Sequence, residues 1–226
     1  MHNKIECKIC TSTKLDFWQD KKREYMRCKE CECIFVDPAY FLSPEEQKKR
    51  YELHKNTLDD TGYRQFIEKF ADTSLLFAKE TQKSIHTIVD YGSGPEPALM
   101  HILEEYKESG KIEKSTCVKG WDPYFNNAET LEKNYADLVL CLEVAEHFEN
   151  PLEGFMGLAN TCNIGGIVVV QTMLTKNNWD EFKKWWYKED STHVSFYSTK
   201  GLEECGKKVG LKYQKSKGNV HLFLKI

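Results

Sequence analysis

The sequence of 226 residues predicts an α/β protein: a doubly wound, mostly parallel sheet preceded by a small cysteine-bearing segment and a helical connector. Three observations lead there. From residue 84 onward, apolar strand-like runs alternate with helical runs, the pattern of parallel crossover units. The first of those strands runs into a glycine turn, "VDYGSGPEP" at 89–97. Two C-x2-C pairs occupy the first forty residues. The expected organisation is therefore 1–42, 43–83 and 84–226.

The elements follow in order. "IHTIVDY" is a strand, "ALMHILEEY" a helix, "STCVKGWDPY" a second strand and "ADLVLCLEV" a third. "PLEGFMGLANTC" is a helix, opened by Asn150 as cap and Pro151 in the first turn. "GGIVVVQTM" is a fourth strand and "KGLEECGKKVG" a helix closed by Gly210. "LKYQKSKGNVHLFLKI" reads as two strands around Gly218-Asn219, which adds an antiparallel edge. Upstream, Ser43-Pro44-Glu45-Glu46 starts a helical stretch that continues through Phe66, Phe70 and Phe77, a connector placed to cover the main domain's site.

Composition narrows the class. Hydrophobic residues at 40% and charged residues at 30% are globular values, and a net charge of −3 argues against a strongly electrostatic nucleic-acid or membrane binder. There is no apolar run of about 18 residues and no signal-peptide pattern, so a cytoplasmic protein without a membrane partner is expected.

Nine cysteines are unevenly spread. Cys7 and Cys10, then seventeen residues, then Cys28 and Cys31 have the spacing of a zinc ribbon, in which two tight turns supply a tetrahedral four-sulfur shell. Cys33 is a spare thiol beside them. Such a metal would staple a segment too short to own a core.

The glycine loop is the most informative local motif. Gly92 and Gly94 follow a buried-type strand and let the backbone turn sharply against a ligand. Asp90, at the strand's end, is suited to accept hydrogen bonds from an amine or hydroxyl. Glu96 stands where a dinucleotide fingerprint needs a third glycine facing a pyrophosphate, which disfavours NAD and FAD. Asp122 ends the second strand in "GWDP", placed to chelate ribose hydroxyls.

Taken in order, "VDYGSGPEP", "GWDP", "ADLVLCLEVAEHFENP" and "NIGGIVVVQT" make residues 84–226 resemble the class I S-adenosylmethionine-dependent methyltransferases, with their Rossmann-like fold. The resemblance implies that Asp90, Tyr91, Gly92 and Gly94 border the methionine moiety of the cofactor. Asp122 would border the ribose, and Leu142 and Glu143 the methyl-bearing side. An amino-terminal cysteine ribbon also recurs on some members. One departure stands out: only 14 residues separate Asp122 from Asp137, too few for the family's usual helix and strand. One strand is therefore expected to be missing, with a short helix in 123–135 and the adenine leaning on Pro123, Tyr124 or Phe125.

"CLEVAEHFENP" places Glu143, Glu146 and His147 at the carboxyl end of the third strand, and one helical turn would set all three on one side. Two carboxylates and an imidazole suit magnesium, manganese or iron, and His193 in "KEDSTHVSFYS" is the candidate fourth ligand or a general base. The same residues serve equally as unmetallated catalytic groups or as structural supports. The E-x-x-E-H pattern with a distant histidine resembles the metal site of small-RNA 3′-terminal 2′-O-methyltransferases, and without it also the ubiquinone-pathway O-methyltransferases. Trp179, Phe182, Trp185 and Trp186 form a helical stripe, part of which is expected to face substrate, with Tyr187 and Asp190 as polar neighbours.

The leading expectation is an S-adenosylmethionine-dependent methyltransferase with structural zinc, acting on a small-molecule or sugar acceptor, on oxygen. The alternatives are a metal-dependent RNA 3′-terminal 2′-O-methyltransferase, which the absence of a concentrated basic surface disfavours, and a non-catalytic methyltransferase-like binding module.

Overall fold

The computed structural model describes residues 5–53, 57–125, 131–176 and 178–226. The cysteine-bearing segment contributes β1 (Leu15–Gln19), β2 (Glu24–Cys28) and β3 (Ile34–Val36), an antiparallel meander in which Leu15 pairs with Cys28 and Met26 with Phe35. Two helices follow. α1 (Pro44–Glu52) opens with the expected Ser43 cap, a full capping box with Glu46. α2 (Thr61–Glu80) is capped by Asp60 and buries Ile67, Phe70 and Phe77. The connector is thus two helices, and the second is a layer of the main core, packed on the sheet strands.

The main sheet is built from β4 (Thr87–Tyr91), β5 (Cys117–Trp121), β6 (Ala136–Leu142) and β7 (Cys162–Gln171), with α3 (Ala98–Glu108) and α4 (Pro151–Thr161) between them. After β7 come α5 (Trp179–Lys183), the two-residue β8 (Ser195–Phe196), α6 (Thr199–Lys208), β9 (Leu211–Lys217) and β10 (Val220–Lys225). The order is β5-β4-β6-β7-β10-β9, parallel through β7 and antiparallel at the final hairpin. The mostly parallel, doubly wound sheet is as expected. Leu138 through Cys141 and Ile167 through Val170 are fully buried, because helices cover both faces. The order reverses between β4 and β6, so ligands gather outside those carboxyl ends.

β5 is an edge: among the described residues no strand lies beyond it. The helix expected in 123–135 falls partly on residues 126–130, outside those described. Asp137, at the start of β6, accepts from the backbone N–H groups of His86 (2.8 Å) and Thr87 (3.1 Å), tying the starts of β4 and β6 together.

Packing runs across both expected boundaries. β8 pairs with β3, Ile34 with Phe196 and Phe35 with Ser195, so the small sheet has the order β1-β2-β3-β8 and takes its last strand from the far end of the chain. The described helices include none long and apolar enough to cross a membrane.

One glycine reverses a common expectation. Alanine normally improves a helix interior over glycine, but a Cβ on Gly206 of α6 would sit 2.6 Å from the Leu211 carbonyl oxygen and 3.0 Å from the Phe223 ring. Gly206→Ala is therefore expected to destabilise the fold by about 1–3 kcal/mol in urea unfolding, as overpacked sites do.

Candidate active site

The carboxyl ends of β4, β5 and β6 open onto a cavity of about 870 Å³. Asp90 is 4% exposed at its floor. Gly92 has φ +85°, and a Cβ there would lie 2.6 Å from Val144 Cγ2, so only glycine lets the loop cross the β6 turn. Gly94, also left-handed at φ +69°, donates its N–H to Asp122 Oδ2 at 3.0 Å. Asp122 Oδ1 accepts from the Tyr124 N–H at 2.8 Å. Each carboxylate oxygen keeps a further lone pair for a hydroxyl. Pro123, Leu142 and Glu143 line the same cavity. Tyr91 stands apart: its ring packs on Trp121 at 4.7 Å and its hydroxyl reaches α4 at Gly157, away from the lining.

Glu143 follows β6 in left-handed backbone (φ 51°), and a 3₁₀ turn, Ala145–His147, comes next. The single helical turn expected to carry all three groups is therefore replaced by a kink and a short turn. The kink sends Glu143 toward Tyr187, whose hydroxyl donates to its Oε2 at 3.2 Å. Glu146 is wholly buried. Its Oε2 accepts from Thr172 Oγ1 at 2.9 Å, while Oε1 has no partner among the described residues. One ligand atom each of Glu146, His147 and His193 lies within 4.8 Å of the others; Glu143 stands outside that set.

The two imidazoles are held alike. His147 Nδ1 lies 3.0 Å from the Thr192 carbonyl and His193 Nδ1 2.7 Å from the Tyr187 carbonyl. A carbonyl only accepts, so each Nδ1 carries the proton and Nε2 keeps its lone pair. Burial lowers the pKa of both rings, His193 to about 3 with the added effect of His147's charge, so both are neutral at pH 7. Burial, then mutual repulsion, raises the Glu143 carboxyl; burial raises that of Glu146, partly offset by the neighbouring Tyr187 and Thr172 hydroxyls.

The connector forms the cavity's other wall, as its expected place over the site implies, but sequence reasoning assigned none of its lining residues to the site. Gln47, Arg50 and Tyr51 of α1 and Tyr63 of α2 line it. Tyr51 sets its edge against the His147 ring at 5.4 Å, and Arg50 pairs with Asp190 at 2.9 Å. Their only sequence signal is membership of a helix that docks here, since no motif marks them. The aromatic stripe also corrects an expectation. Its helix ends at Lys183, and Trp185 turns extended so that it can pack on Phe182, Tyr187 and Phe196. Trp179 and Phe182 pack on Trp18; Trp186 and Tyr187 reach the cavity.

Cys7, Cys10, Cys28 and Cys31 converge, with Sγ–Sγ distances of 3.5 Å for Cys7–Cys31 and 3.4 Å for Cys10–Cys28. The N–H groups of Ile9 and Glu30 donate to the sulfurs of Cys7 and Cys28 at 3.4 Å, a geometry that favours thiolates. Cys33 points instead to Ser198 and Gly201.

Sheet order, glycine loop and paired strand-end acids define a methyltransferase fold. The sequence profile of a methyltransferase domain matches residues 63–216, more than half of the chain, and the chain belongs to that family of S-adenosylmethionine-dependent enzymes. Among solved structures, the 1,6-didemethyltoxoflavin-N1-methyltransferase of Burkholderia thailandensis superposes with a TM-score of 0.54 at 10% identity, over 92% of this chain and 97% of that one. It holds its substrate and S-adenosylhomocysteine. The magnesium protoporphyrin IX methyltransferase of Synechocystis PCC 6803, with S-adenosylhomocysteine bound, gives 0.50 at 13% identity over 83% and 97%. No curated protein matches in sequence.

Asp90 yields a signed prediction. Burial, then the Asp122 charge, raises its pKa from 3.8 to about 7. Between those values the unfolded chain ionises and the folded one does not, so stability falls as pH rises through the window. The full cost, on the order of 4 kcal/mol at most, stands above pH 7. Asp90→Asn removes it. The ligand-free variant should melt above wild type at pH 8, and the advantage should disappear near pH 4, as followed by thermal denaturation across pH.

Proposed function

We propose that this chain transfers the methyl group of S-adenosylmethionine to an oxygen of a small molecule or sugar. The observation that carries the reading is the facing of two half-sites across one cavity: the Asp90–Gly94 loop with Asp122 on one side, the Glu146, His147 and His193 groups on the other. Asp90 and the loop would take the amino-acid end of the cofactor, Asp122 the ribose, Pro123 the adenine, and Leu142 and Glu143 would flank the sulfonium. Placement of acceptor and methyl in line supplies most of the acceleration. Glu96, Asp122, Glu149, Glu153, Glu189 and Asp190 line the cavity together with Arg50, an acidic balance that favours a neutral or cationic acceptor over an RNA end. Retention of both acids and the tight glycine turn favours an enzyme over a silent binding module.

The unpartnered Oε1 of Glu146 favours a divalent cation at Glu146, His147 and His193 over three unmetallated groups, because a buried carboxylate oxygen without a donor is costly. The donor set fits: one carboxylate and two neutral imidazoles. Two nitrogens suit manganese or iron better than magnesium. When bound, such an ion would lower the pKa of an acceptor hydroxyl. The four clustered cysteines fit structural zinc equally well.

Calorimetry with S-adenosylhomocysteine should give micromolar binding, weakened at least tenfold in Asp122→Ala; no binding at millimolar ligand in wild type sinks the methyltransferase reading. Manganese titration should show one site that Glu146→Gln weakens by about a hundredfold or more, whereas unchanged affinity overturns the assignment. Elemental analysis of purified protein should find about one zinc per chain, lost in the Cys10→Ser variant.

A further inference from the structure

The segment 187–193 faces two ways. Its Tyr187 and Thr192 carbonyls turn inward to His193 and His147, the contacts that fix the tautomers of both rings. Its Lys188, Ser191 and His193 carbonyls turn outward, and all three accept from the guanidinium of Arg23, at 3.4 Å for Ser191 and 3.0 Å for His193. Arg23 belongs to the β1–β2 turn of the cysteine-bearing segment and is only 7% exposed. The same turn holds the segment's side chains: Lys188 pairs with Asp20 at 3.2 Å and Lys22 with Glu189 at 3.0 Å. Beyond His193, the Val36 N–H donates to the Val194 carbonyl, and the Val194 N–H donates to the Glu146 carbonyl.

We propose that Arg23 is a positioning residue, by which the cysteine-bearing segment sets the tautomer and orientation of His147 and His193. Five carbonyls within seven residues repel one another and are satisfied by no regular ladder. One planar fork binding three of them leaves the other two aimed at the imidazoles. Lysine is a single-point donor and cannot replace such a fork. Neutral imidazole has two tautomers, and the hydrogen bond at one nitrogen decides which lone pair the other offers. Arg23 thus acts on the rings through the backbone and bonds to neither imidazole. The inference rests on the reading of these histidines as site residues. It adds that the ribbon completes their geometry in addition to its stapling role.

The test uses full-length protein labelled with ¹⁵N at the histidine rings, with S-adenosylhomocysteine added, and long-range ¹H–¹⁵N spectra assigned through His147→Gln and His193→Gln. Wild type should show both rings as Nδ1–H at pH 7.5. Arg23→Lys and Arg23→Met should each turn these two rings into tautomer mixtures. His86, His101 and His221 should keep their wild-type shifts, and the Kd for S-adenosylhomocysteine should change less than about twofold. Lys22→Ala, in the same turn but on the exposed Glu189 pair, should leave every ring unchanged. Arg23→Lys keeps the charge and carries the test if Arg23→Met does not fold. Single Nδ1–H tautomers at both rings in folded Arg23→Lys would overturn the proposal, as would Nε2–H rings in wild type. Failure of wild type to bind S-adenosylhomocysteine counts against the methyltransferase reading instead and leaves the ring spectra readable.

Discussion

A carboxylate the interior leaves half paired sets the terms for this molecule. Glu146 is fully buried, and almost everything around it belongs to a different element. Thr172 follows β7, Tyr187 and Val194 come from the stretch before β8, and His147 is its chain neighbour. A charge in that position is tolerated only with compensation close at hand. The kink at Glu143, the 3₁₀ turn and the shared β3–β8 pairing all serve to bring that compensation within reach. The opposite side of the cavity is arranged differently, since there Asp122 accepts from the backbone amides of the glycine loop and of Tyr124.

Much of the frame was legible because its signals are periodic or obligatory. Apolar runs named β4, β6 and β7, and the Ser43 and Asn150 caps lie where their side chains must satisfy free amides. Gly92 was readable for the same reason: its backbone permits nothing else. The short interval between Asp122 and Asp137 leaves little chain for a further strand, and among the described residues none lies beyond β5.

What was not legible depends on tertiary contacts. Nothing in "WDEFKKWWYKED" says that the helix stops at Lys183, because the extended turn at Trp185 is driven by Phe182, Tyr187 and Phe196 together. Tyr51 and Arg50 sit in an ordinary polar helix and acquire meaning only where α1 docks. Glu143 looked like a partner of Glu146 by spacing, yet a left-handed residue redirects it to Tyr187. Arg23 was unremarkable in a polar turn until residues some 170 positions later closed over it.

The pairing of β3 with β8 also shapes how the chain comes to exist. Phe35 and Ser195 are 160 residues apart (195 − 35), so the small sheet lacks its fourth strand until β8 has been made. The cysteine turns are local and close early, whereas the edge at β3 waits for β8. Closure over so long a loop is entropically slow and late. The contacts that shape the Glu146, His147 and His193 group therefore form only after that distant closure.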